Sequence, residues 1–182
     1  LKEMLQKLTE NLESQVDKKN PIFIEFYRYL VITHLQLMKG DCQKHNLTVP
    51  LAQLSSSLLR YTKEIRADKA YLDAGNACRA AGLNDAAFIY FNRYIDLFDV
   101  IDDPDNAGGL DNTAFENTDI PSPFEIPLPE KNIIGPNERD HIRDWVLEIK
   151  VDGSVGQNLP QRRCDNCGDD MYECSLNCTN CQ

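Results

Sequence analysis

The chain is short of positive charge. Its 182 residues carry 19 Lys and Arg against 29 Asp and Glu, a formal net charge of −10. A nucleic-acid binder needs a basic stripe, so that class is excluded. No apolar run approaches the roughly 20 residues of a membrane span, and the N-terminus lacks the pattern of a signal peptide. An initiating Met is also missing, so a piece of a longer chain is expected. Histidines are few: His34, His45 and His141 fall in three separate segments, with no local Ser/His/Asp or Cys/His arrangement. No catalytic residues are therefore expected, and the chain does not read as an enzyme. Gly108-Gly109 lacks the Lys-Ser/Thr of a phosphate-binding loop. The single Trp, Trp145, reads as a packing anchor rather than a ligand platform.

What the sequence does have is helical periodicity. Lys2 to Val16 carries Met4, Leu5, Leu8, Leu12 and Val16 as one apolar stripe. Asn20-Pro21 starts a second helix, expected over Ile22 to Met38 with Gly40 as its stop. Its many apolar residues, from Phe23, Phe26 and Tyr27 to Leu35 and Leu37, predict burial on more than one side. Val49-Pro50 opens a third helix through about Ile65, with Leu51, Leu54, Leu58, Leu59 and Tyr61 pointing inward.

The organising stretch is Ala67 to Asp99. Tyr71, Ala74, Gly75 and Cys78 share one helical face, Gly82-Leu83-Asn84 makes a turn, and Ala87, Phe91 and Tyr94 line the facing side. Small residues let two helices approach closely while the aromatics fill the space beside them. The pattern matches a tetratricopeptide repeat, set against the plainer reading of any hairpin with small residues at its contact. Residues 1–101 thus read as an all-α, tetratricopeptide-like solenoid end of five antiparallel helices. Arg66, Arg79 and Arg93 are candidate exposed contacts or simply solvated charge, and the net acidity suggests a partner with basic residues.

Residues 102–134 change character. Six acids and no Lys or Arg lie between Asp102 and Asp119, which predicts a solvated linker, mobile to about Glu116. The proline-rich strip from Asp119 to Pro129 forbids helix, yet it carries Ile120, Phe124, Ile126 and Leu128. Those four predict a strip docked along helix faces; the alternative is a flexible spacer. Residues 135–159 hold a helix and its connection: Gly135-Pro136 starts it, and it runs to about Lys150 with Ile142, Trp145, Val146 and Ile149 at helical spacing.

Metal chemistry is confined to residues 160–182. Five of the seven cysteines fall in the last nineteen residues, whereas a secreted disulfide framework would spread them, so a reducing compartment is favoured. Cys164-x-x-Cys167 and Cys178-x-x-Cys181, ten residues apart, suit one structural Zn²⁺ held by four thiolates. Cys174 is a spare sulfur that can replace a ligand, and Gly168 supports a knuckle turn. The competing readings are idle dithiols or a redox CxxC; the latter needs a βαβ context that is absent here.

Several blocks also carry a resemblance. Ser57-Leu-Leu-Arg-Tyr-Thr, Ala67-Asp-Lys-Ala-Tyr, Ala77-Cys-Arg-Ala-Ala-Gly82, Phe91-Asn-Arg-Tyr, Thr118-Asp-Ile-Pro, Ile126-Pro-Leu-Pro and Asp144-Trp-Val-Leu together resemble the C-terminal end of the intraflagellar transport 172 family. The match covers most of Leu47 to Leu159. It implies a non-enzymatic scaffold in the intraflagellar transport B complex, working in cilia, at the basal body and in the cytoplasm. Implied partners are other B-complex subunits and the A complex, with roles in train assembly, cargo movement and turnaround. Family members end in a small U-box-like module, of which only the beginning is present here. That implies an alternative role in ubiquitin binding or ubiquitin ligation. A true U-box uses polar contacts where this chain offers a full cysteine set, so a U-box, a metal-bound RING-like relative and a simple zinc knuckle all stay open.

Overall fold

In the computed structural model, which describes residues 2–15, 20–103, 110–116, 118–153, 155–156, 158–176, 178 and 180–181, the apolar periodicity becomes six helices and one two-stranded sheet. The helices are α1 (Lys2–Gln15), α2 (Pro21–Lys44), α3 (Thr48–Leu58), α4 (Ala67–Ala80), α5 (Asn84–Asp102) and α6 (Pro136–Val151). Two short strands follow, β1 (Gln161–Arg163) and β2 (Asp170–Tyr172). Each helix from α1 to α5 packs on the next in sequence, and α6 returns onto α5. Val16 and Gly108-Gly109 lie outside the described residues, as does the side chain of Leu12.

Helix α2 departs from expectation at its C-terminal end. It starts as expected: the Asn20 side chain accepts a hydrogen bond from the Ile22 N–H at 3.0 Å, with Pro21 in the first turn. It then runs past Gly40 to Lys44, so Gly40 is not its stop. A helical Gly costs only about 1 kcal/mol, and continuing the helix buries Cys42. The stop is Asn46, whose φ of 52° lets the Leu47 N–H reach the Cys42 carbonyl at 2.9 Å. Burial on several sides also fails. Leu30, Ile32, Leu35 and Cys42 are buried, but Ile22 is 77% exposed, and Ile24, Phe26 and Tyr29 are exposed too. Helix α3 is shorter than expected, tightening into a 3-10 turn over Leu59–Tyr61.

The α4–α5 hairpin forms the core. Tyr71, Tyr90, Phe91, Tyr94 and Phe98 are its largest fully buried side chains, packed with Ala74, Cys78 and Ala87. Gly75 is required by a close approach: a Cβ there would sit 2.5 Å from the Phe91 ring. The turn is closed by Gly82, with φ at 74°, a conformation open to Gly at little cost. Helix α6 lays Trp145 edge-on to Phe91, with centroids 5.4 Å apart, and buries Val146.

The described part of the acidic segment is seated on the body, and residues 104–109 lie outside the described residues. Residues 110–116 are a strap rather than a solvated linker. Phe115 is buried between Tyr71 and Tyr90, at centroid distances of 5.8 and 6.4 Å. Arg93 is itself buried, which corrects its reading as an exposed contact. Its guanidinium lies 4.8 Å from the centre of the Phe115 ring and donates to the Asp111 carbonyl and Asn112 Oδ1. Arg66 pairs with the buried Asp68, and Arg79 lies over the Trp145 ring. Two of the four apolar residues of the proline strip seat as expected, Ile120 and Ile126. The other two do not. A 3-10 turn over Pro123–Glu125 leaves Phe124 67% exposed, and Leu128 is exposed as well.

Candidate metal centre

The cysteine module is built on a tight hairpin. Strands β1 and β2 pair antiparallel, with Arg162 opposite Met171. Between them the first CxxC makes a knuckle. The Gly168 N–H donates to the Cys164 carbonyl at 2.9 Å, and the Cys164 N–H donates to the Asp169 carbonyl at 2.8 Å. Gly168 takes a φ of 78°, the left-handed turn expected of it. The second CxxC loop closes over the first. Asn180 donates its backbone N–H to Cys178 Sγ at 3.4 Å and its side-chain amide to Asp169 Oδ2 at 2.5 Å.

This geometry brings together all four cysteines singled out from spacing. Their Sγ atoms lie within 4.8 Å of one another; Cys164 to Cys181 and Cys167 to Cys178 are both 3.5 Å. Metal–sulfur bonds of about 2.3 Å in a tetrahedron put the sulfurs about 3.8 Å apart. The four can therefore hold a metal ion with little rearrangement. Their protons are already shared unequally. Backbone N–H groups of Cys167 and Asn166, with the Cys181 thiol, lower the Cys164 thiol to about 6. Cys167 gains from an Asp169 N–H, yet desolvation and the neighbouring thiols push it up to about 12. N–H donors aimed at sulfur are what a thiolate cluster needs, since they stabilise the charged form.

Cys174, the spare sulfur, takes the place of none of the four in this cluster. It lies outside the four-sulfur cluster and is buried in the helical core that also holds Cys78. The module is thereby seated on the helical body. Met171, Tyr172, Cys174 and Ser175 are all buried. The Leu176 N–H donates to Ser57 Oγ at 3.0 Å, and Arg60 donates to Ser175 Oγ at 3.0 Å while pairing with Asp119 at 2.9 Å. Arg60 thus ties the body, the proline strip and the module together. Local spacing carries no sign of this, because its partners lie far away in sequence. The three histidines stay apart from the cluster, and among the described residues no helix is long and apolar enough to cross a membrane.

No family model matches the chain. Curated relatives do. The chain is 40% identical over 177 residues to a human protein named intraflagellar transport protein 172 homolog, a span of 97% of this chain and 10% of that protein. It is 39% identical over the same share of its length to the Danio rerio homolog. With intraflagellar transport protein 172 of Chlamydomonas reinhardtii it shares 34% identity over 159 residues, 86% of the chain and 9% of that protein. The chain spans about a tenth of the length of the curated relatives it matches. Along almost its whole length the chain is homologous to one stretch of intraflagellar transport protein 172.

Proposed function

We propose that the chain serves intraflagellar transport in cilia as a non-enzymatic scaffold, with a helical stack that binds other subunits of the transport complex and a terminal knuckle held by one structural zinc. The identity of 40% over 97% of the chain to a protein named for intraflagellar transport carries the reading. The packing is compatible with a tetratricopeptide-like solenoid, because each of α1 to α5 rests on its sequence neighbour. Stacks of this kind leave long exposed faces for partners. Apolar side chains stand in solvent in one set on each of the first two helices, Met4 and Leu8 on α1 and Ile22, Phe26 and Tyr29 at helical spacing on α2. Apolar surface grouped in this way marks an interaction site. Four thiolates with the sulfur spacing described suit zinc and leave no open position for chemistry. Cys164, Cys167, Cys178 and Cys181 are its ligands in this reading.

The test is a deletion series in ciliated cells, made in the full-length protein. Removing the stretch equivalent to residues 21–102 should abolish train assembly and cargo movement. Normal trains after that deletion, combined with loss of transport when only Arg163 onward is removed, would overturn the scaffold reading.

A further inference from the structure

A second sulfur pair lies outside the knuckle. Cys78 sits on the inner face of α4 with no solvent exposure, and Cys174, just past β2, is 4% exposed in the same core. Ser56 Oγ lies 3.6 Å from Cys78 Sγ, and the next residue, Ser57, accepts from the N–H of Leu176, two residues beyond Cys174, so both cysteines meet the same turn of α3 within one buried core. Both are free thiols. The pair spans the seam where the module meets the helical body, beside the contacts of Leu176 to Ser57 and of Arg60 to Ser175.

We propose that Cys78 and Cys174 are a modification site, a dithiol that a low-molecular-weight disulfide such as oxidised glutathione converts to one bond joining the module to α4. The order of attack follows from the surroundings. The Cys78 thiol and the Ser56 hydroxyl hold Cys174 below its usual range, while Cys174 and burial raise Cys78. Cys174 is therefore the first nucleophile. Its thiolate attacks one sulfur of the small disulfide, breaks that S–S bond and expels one small thiolate. Cys78 then loses its proton and attacks the Cys174 sulfur of the mixed disulfide, expelling the second small thiolate. The two protons from the protein thiols go to the two leaving thiolates. Two protein thiols are oxidised by two electrons, and one small disulfide is reduced to two thiols. Because both sulfurs are buried, the reagent reaches them through opening of the seam, so the reaction follows the opening equilibrium.

The intact chain, treated with oxidised glutathione, then alkylated and digested without reduction, provides the test. The α4 peptide containing Cys78 should be joined to the peptide that begins at Cys164, and fragment ions should place the bond on Cys174. Cys174→Ala should remove that cross-link, and Arg60→Ala should speed its formation several-fold. The proposal is overturned if fragment ions place the bond on a knuckle cysteine, or if oxidation leaves Cys78 unlinked to the module.

Discussion

The α4–α5 hairpin and the cysteine module are held together by different means. The hairpin buries five aromatic rings, and its order follows from apolar area removed from water, at about 25 cal/mol per Å². The module has two three-residue strands, and among its four clustered cysteines only Cys178 is buried. Too little apolar surface is available there to offset the entropy of ordering the chain. In the proposed reading a metal held by the four thiolates orders one end of it, and the seam with α3 and α4 holds the other. A region built on packing loses stability in increments when trimmed, whereas one built on a metal loses it at once.

The largest expected effect is on the module. Cys178→Ser should abolish stoichiometric zinc in elemental analysis of protein purified under reducing conditions without chelator, and should loosen residues 161–181. Structural zinc is worth about 10–16 kcal/mol in small peptides, so the module should not survive its loss. In the body, Phe115→Ala should cost about 3–5 kcal/mol, read as a lower denaturant midpoint, because the ring is buried between Tyr71 and Tyr90. Gly75→Ala should cost about 1–3 kcal/mol in the same measurement, since the added methyl meets the Phe91 ring. Phe124→Ser should fall within about 0.5 kcal/mol of the parent, because that ring stands in solvent. A Phe124 effect as large as that of Phe115 would erase the distinction between seated and unseated parts of the strip.

Legibility followed the range of each interaction. The hairpin could be read because Tyr71, Gly75, Ala87 and Phe91 make their contacts one turn apart or across a tight turn. The four knuckle cysteines could be read because CxxC fixes two sulfurs within a single turn. Other features depended on partners far away. Acidic composition pointed to a free linker, while Phe115 and the buried Arg93 supplied a seat for part of it. Alternation along the proline strip suggested four docked side chains, but the 3-10 turn at Pro123 breaks the alternation at Phe124. Gly40 looked like a stop because glycine ends helices; burial of Cys42 beyond it carried α2 onward. Cys174 looked like a spare ligand by proximity in sequence, and only the fold turned it toward Cys78.

The most direct test of the contrast is hydrogen exchange on the whole reduced chain, with and without a zinc chelator. Chelation should raise exchange across residues 161–181 and leave α4 and α5 as protected as before. If α4 and α5 lost protection together with the module, or the module kept its protection without metal, the division between a packed body and a metal-held module would be contradicted.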